Sequence, residues 1–285
     1  MISIAIQNVK GGVGKTTTSI HLAAAILQKR PGTRILLIDC DSQASIRAYF
    51  RIKLNQDEGD FFDFLVNGKD YHQCILKLQI NSDADLDVIT SSRRLSDADI
   101  RMSTFPRREE TLLFRFEEQQ IANQYDFVIF DCPPTLNLVT YNVLTFTDFL
   151  VIPSEMDHLS MTGIQTIMEN VNIVQKYFNR APKILGVLPT KFDQRLNVTN
   201  EVLGALQKAL GGKTKIYDPI RMDVKIKNCQ ARKKTVFQYS PSSRAGDDYL
   251  SFTEAMLNDI SIVGNSKIPK KLEPIKLKPN PEASL

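Results

Sequence analysis

Two lysines bracket a glycine cluster near the start of the chain, in Lys10-Gly11-Gly12-Val13-Gly14-Lys15-Thr16-Thr17. Glycines let successive backbone N–H groups converge on an anion, and a helix opening just after them adds its positive end. Lys15 would then meet the β- and γ-phosphates of a nucleotide, and the Thr16 hydroxyl a Mg²⁺ ion. A glycine-rich turn of purely structural use gives no reason for Gly-Lys-Thr at that point. The general spacing G-x-x-x-x-G-K-[ST] asks for glycine at position 9, where the chain has Val9, and Lys10 follows as an additional cation. Two cations at one loop mouth repel unless further negative charge is present. The γ-phosphate of a nucleotide held by a facing subunit would supply it.

Carboxylates come next. Asp131 ends the apolar run Phe127-Val128-Ile129-Phe130, where burial of a charge is costly unless a cation compensates it. Mg²⁺ beside the phosphates, opposite Thr16, is that cation. Asp39 and Asp41 stand two apart at the end of Ile35-Leu36-Leu37-Ile38, a spacing that puts both on one side of a persisting strand and equally suits a turn before Ser42-Gln43. From Arg221 to Lys234 the cations Arg221, Lys225, Lys227, Arg232, Lys233 and Lys234 oppose only Asp223. Such a stretch neutralises nucleic-acid phosphates with steep salt dependence, or serves as a solvated basic loop.

Elements that could position these groups are legible. Short apolar runs recur at Ile2 to Ile6, Arg34 to Asp39, Leu86 to Thr90, Asp126 to Asp131, Asp148 to Pro153 and Lys183 to Pro189. Helical spacing fills Thr16 to Arg30, Glu109 to Gln124, Met161 to Phe178 and Asn197 to Leu210. Strands alternating with helices predict an α/β fold: a mostly parallel twisted sheet with helices on both faces. The polar stretch Asn55 to Ser82 reads as a helical excursion, and a last amphipathic helix is expected from about Arg244 to Asp259. The domain is expected to span residues 1–264. Residues 265–285, with Pro269, Pro274, Pro279 and Pro281 among five lysines, read as a flexible basic tail.

Lys10 to Thr17 resembles the deviant Walker A motif of the ParA/MinD ATPases. Leu37-Ile38-Asp39-Cys40-Asp41-Ser42-Gln43-Ala44 resembles the family's second motif, and Phe127-Val128-Ile129-Phe130-Asp131-Cys132-Pro133-Pro134 its Walker B strand. Val224 to Tyr239, followed by Ser240-Pro241-Ser242-Ser243-Arg244-Ala245-Gly246, is similar to the C-terminal region of ParA/Soj partition ATPases. The resemblance implies a P-loop NTPase that binds ATP and Mg²⁺ through Lys10 to Thr17 and hydrolyses ATP slowly. Asp41 would orient the attacking water, Asp39 would support the magnesium shell, and Lys10 would act on the nucleotide of a second subunit. An ATP-bound homodimer, nonspecific double-stranded DNA and a ParB-like centromere-binding partner follow as expectations, with a cytoplasmic, nucleoid-associated location. The family's adenine pocket uses a Pro-Arg-Asn stretch that aligns with Arg221-Met222-Asp223. All three positions differ, leaving Asp223 to accept from the adenine amino group. Lys225 falls where the family has a basic DNA-contacting residue; the other such position is Met222.

Composition narrows the alternatives. Lys plus Arg exceed Asp plus Glu by 36 to 32 in 285 residues, a net charge of +4, too little for the whole surface to act as a polyanion glove. Cys40, Cys74, Cys132 and Cys229 form no CxxC pair and only three His occur, so structural zinc lacks ligands and the cysteines read as buried thiols. An iron–sulfur reductase would need a clear second ligand beside Cys132. A MinD-like membrane-cycling ATPase requires a C-terminal amphipathic helix, which prolines at such density oppose; stable membrane association is not expected. Another cargo-positioning ATPase of the same superfamily remains the alternative to DNA partition.

Overall fold

The computed structural model describes residues 1–80, 84–157, 159–210, 212 and 214–265. Eight strands, β1 Ile2–Ile6, β2 Ile35–Asp39, β3 Ile75–Gln79, β4 Asp85–Ile89, β5 Phe127–Asp131, β6 Phe149–Glu155, β7 Lys183–Thr190 and β8 Lys215–Ile216, form one sheet. Their order is β3-β4-β2-β5-β1-β6-β7-β8. Only β3 runs antiparallel to its neighbour, β4; the remaining pairs are parallel.

Parallel strands need crossovers, and the crossovers cover both faces of the sheet. Strand alternation sends Leu36 and Ile38 to one face, with Phe130, Val143 and Ile164. Ile35 and Leu37 go to the other, with Ile20, Leu22 and Phe252. Both faces are covered by apolar side chains, which is why β2 and β5 read as continuous apolar runs with every residue buried.

In the three central strands, register sets Asp39 beside Asp131 and Asp131 beside Ile6. The phosphate loop therefore leaves β1 next to two carboxylates at the carboxyl edge of the sheet, where ligands bind in doubly wound folds.

The expected helices are present as Lys15–Lys29, Ser160–Phe178 and Asn197–Leu210, and the last one runs farther than expected, over Arg244–Asn265. Two expectations need correction. Asn55 to Ser82 holds a short helix, Phe61–Leu65, closed by a capping box between Asp60 and Asp63, and then the edge strand β3. Lys77 and Gln79 of β3 face solvent, so its pattern is too polar to read as a strand without its β4 partner. The Glu109 to Gln124 helix is shorter, Thr111–Glu118, and ends before Gln120, whose φ is 51°. Residues 266–285 of the expected tail lie outside the described residues. Among those described, no helix is long and apolar enough to cross a membrane.

Candidate functional site

The loop between Ile6 and Lys15 is held from several sides. Asn8 Nδ2 donates to the Pro153 carbonyl at 2.8 Å, and Asn8 Oδ1 accepts from the Lys10 backbone at 3.0 Å. Thr190, at the end of β7, donates its hydroxyl to the Val13 carbonyl at 2.7 Å. Gly12 and Gly14 take φ of 79° and 91°, values that a side chain would strain. The helix begins at Lys15 with no acidic residue in its first turn, so its positive end stays available to an anion. Lys15 is 8% exposed and donates to the Lys10 carbonyl at 3.0 Å. Burial lowers its pKa, and the nearby Asp131 charge opposes that shift.

Asp131 lies against the start of this helix. Its Oδ1 accepts from Ser19 Oγ at 3.2 Å, while Oδ2 is buried without a hydrogen-bond partner. Burial pushes its carboxyl up to about 7, against the nearby Thr16 hydroxyl, the Ser19 hydrogen bond and the charge of Lys15. An orphaned carboxylate oxygen beside a threonine hydroxyl fits a hard divalent cation, which takes oxygen ligands.

Asp39, fully buried, accepts from the Asp41 N–H at 3.1 Å and from the Ile46 N–H at 2.9 Å. Burial, then the adjoining Asp131 charge, raises its carboxyl well above the usual range. Both of its oxygens are engaged in folding the Asp41–Ile46 loop, which makes it the scaffold of that segment. Asp41 is half-buried at the mouth of a groove that it shares with Pro133, Pro134 and Asn137.

Lys10 is not free in solvent. Its ammonium is ion-paired with Asp157, on the segment between β6 and the next helix. Partial burial opposes the shift, but hydrogen bonds from Lys10 and Ser160 hold Asp157 below its ordinary value.

The basic stretch folds as helix Val224–Ala231 and the turn that follows. Lys225, Lys227, Arg232, Lys233 and Lys234 are all exposed. Lys225 Nζ and the Arg232 guanidinium carbon lie 6.0 and 5.1 Å from the Tyr239 ring centroid. Arg221 is paired within the fold. Its guanidinium forms a fork on Asp248, with bonds of 2.7 to 3.1 Å, and its backbone also donates to that carboxylate, so it anchors the last helix. Asp223 is likewise engaged, capping helix Val224–Ala231 through the Lys225 N–H at 2.9 Å and lying 3.4 Å from the Ala245 amide. These bonds compete with the expected contact to adenine.

Asn8, Ser19, Asp157 and Thr190 escaped the sequence reading. Asp157 follows β6 and Thr190 ends β7, far along the chain, and only the sheet order brings them to the loop. Ser19 carried a signal: it stands four residues after Lys15, on the helix face that looks back toward the loop.

An eight-stranded doubly wound sheet with a phosphate loop after its first strand, Lys-Thr opening the helix and a buried aspartate beside it defines a P-loop nucleoside triphosphatase. The family described as AAA domain matches residues 1–184, and with relatives of high coverage it shows that the chain belongs to the ParA-type partition ATPases. It is 34% identical over 252 residues to the sporulation initiation inhibitor protein Soj of Bacillus subtilis, covering 88% of this chain and 96% of Soj. Among solved structures, apo McdA from Cyanthece superposes with TM-score 0.79 at 18% identity, over 91% of this chain and 99% of that one. Cobyrinic acid a,c-diamide synthase from Mycobacterium smegmatis, solved with ADP and magnesium, reaches 0.76 at 24% identity, over 92% and 96%.

Proposed function

We propose that the chain is an ATP-driven dimerisation switch that binds DNA without sequence preference and, with a ParB-type partner, segregates or positions a chromosome or plasmid. The observation that carries this reading is the pairing of two lysines with different surroundings on one loop. Lys15 is buried at the phosphate-binding end, while Lys10 is held at the rim by Asp157.

Lys15 and the backbone of Gly11 to Thr17 would hold the phosphates, with Thr16 and Asp131 holding magnesium. Magnesium would neutralise charge on the β- and γ-phosphates. Asp41 would orient the water, and the Asp39 carboxylate keeps the Asp41 segment folded. Lys10, on leaving Asp157, would reach the nucleotide of a second copy, a role like that of a cation supplied in trans. With no strong general base among these groups, hydrolysis is slow and the dimer persists. Its two basic surfaces then engage twice the phosphates of a single copy. Domain limits near residue 264 and a nucleoid-associated, cytoplasmic location belong to this reading, as do nucleotide contacts from the Arg221–Asp223 segment.

The test is light scattering and DNA retention with ATP and magnesium. Asp41→Ala should accumulate a dimer near twice 32.2 kDa that is retained on random-sequence DNA, and Lys15→Ala should give neither. A monomeric Asp41→Ala protein that hydrolyses ATP normally would refute the reading.

A further inference from the structure

A buried polar cluster joins the nucleotide end of the molecule to its cationic turn. His21 is fully buried, one turn beyond Thr17 in the phosphate-loop helix. Its Nδ1 lies 2.7 Å from the Thr17 carbonyl, and its Nε2 lies 3.1 Å from the Val236 N–H. A carbonyl on one side and an N–H on the other fix the neutral tautomer protonated at Nδ1, with Nε2 accepting. The ring stacks on Tyr249, centroids 5.0 Å apart, and meets Tyr49 edge-on at 6.4 Å.

Tyr49 supplies the second tie. Its hydroxyl donates to the Lys234 carbonyl at 3.0 Å and lies 3.2 Å from Cys229 Sγ. It sits on helix Ser45–Phe50, whose Ile46 N–H is held by Asp39. The turn carrying Arg232, Lys233 and Lys234 thus hangs from two points. Val236 is tied to the phosphate-loop helix, and Lys234 to the helix that follows the Asp39–Asp41 segment. Just before the first tie Lys233 adopts a left-handed φ of 56°. Buried backbone groups need partners, and at Lys234 and Val236 the partners are side chains from the two elements that flank the nucleotide site.

We propose that His21 and Tyr49 are positioning residues for the cationic turn, so that the affinity of Arg232, Lys233 and Lys234 for a polyanion follows the state of the phosphate loop and of the Asp39–Asp41 segment. This rests on the DNA-binding reading above. By linkage the effect is reciprocal: DNA bound at the turn would tighten nucleotide binding by the same factor.

The experiment compares the full chain with His21→Asn, His21→Gln and Tyr49→Phe. Asparagine can mimic Nδ1 but cannot reach Val236, whereas glutamine can place an oxygen near the Nε2 position. Anisotropy on a random-sequence duplex, with and without a non-hydrolysable ATP analogue and magnesium, gives the nucleotide-induced gain in DNA affinity; a fluorescent nucleotide gives nucleotide affinity separately. His21→Asn and Tyr49→Phe should keep nucleotide affinity within about twofold yet lose roughly tenfold of the gain, the scale of ordinary coupling. His21→Gln should recover most of it. A gain equal to the parent's in His21→Asn and Tyr49→Phe overturns the proposal; should His21→Asn fail to fold, Tyr49→Phe alone decides. Trypsin cleavage at Arg232 to Lys234 provides a DNA-free arm. If nucleotide changes the cleavage rate in the parent but not in Tyr49→Phe, the coupling stands even where DNA binding is absent, and it is then the DNA reading that fails. Cleavage indifferent to nucleotide in the parent overturns the coupling itself.

Discussion

Replacing Asp131 by asparagine should stabilise the nucleotide-free protein and abolish its response to magnesium-nucleotide. The reasoning begins with burial, which holds the Asp131 carboxyl at about 7 instead of 3.8. The folded state therefore keeps a proton that the unfolded chain has released, so stability falls as pH rises from about 4 to 7 and levels above. A gap of about three pH units corresponds to about 4 kcal/mol at pH 8. An amide of the same shape carries no charge and escapes that cost. The difference between the two stability curves reports the loss of this charge together with its effect on Asp39 and Lys15, whose carboxyl and ammonium both feel it. Asp131→Asn should match the parent near pH 4 and exceed it by up to about 4 kcal/mol at pH 8, or roughly 8 °C in a chain of this size. Magnesium-ATP should reverse the order, stabilising only the protein that retains the carboxylate. Thermal unfolding in half-unit pH steps, with and without magnesium-ATP, measures both effects. A nucleotide-free variant less stable than the parent at pH 8 would refute the claim of an uncompensated buried charge, and an unchanged nucleotide response would remove Asp131 from the cation site.

Three further outcomes are expected. Asp157→Asn should release Lys10 and lower the protein concentration at which the ATP dimer forms, by severalfold in light scattering, while Lys10→Ala should retain monomer nucleotide affinity without a dimer. Lys225, Lys233 and Lys234 changed together to glutamine should weaken binding equally on unrelated duplexes and flatten the salt dependence by about 0.9 log units per lost phosphate contact, with DNA-free hydrolysis intact. Arg221→Gln should act mainly on stability, because it removes the guanidinium fork and leaves Asp248 only the backbone N–H at position 221; thermal unfolding should show a loss of about 0.5–1.5 kcal/mol, with DNA affinity per folded molecule unchanged.

The phosphate loop, the three aspartates and the alternation of strand and helix were readable because each is a local matter. Gly-Lys-Thr after an apolar run is meaningful within eight residues, and β2 and β5 announce their burial on both faces by unbroken apolar sequence. The edge strand β3 was not readable, since its half-exposed Ile75-Leu76-Lys77-Leu78-Gln79 acquires its meaning from pairing with β4. The intramolecular partners of Arg221 and Asp223 were not readable for a related reason. A charged residue in a basic stretch looks available until its partner is known, and Asp248 and the cap of helix Val224–Ala231 are supplied by folding.

Side-chain type and spacing along a few residues were enough to specify what chemistry the loop can perform. Which groups surround it was decided by the strand order β2-β5-β1-β6-β7, which brings together residues distant in the chain: Asp39 beside Asp131, Asp157 to Lys10, and Thr190 to Val13. The same is true of His21. In the sequence it is an apolar-face histidine of one helix, and only the packing of the last third of the chain against that helix makes its Nε2 the acceptor for Val236. Hydrogen bonds and ion pairs act over a few ångströms in space, so a residue's partners are set by the tertiary fold even where its own type and local structure are plain from its neighbours in the chain.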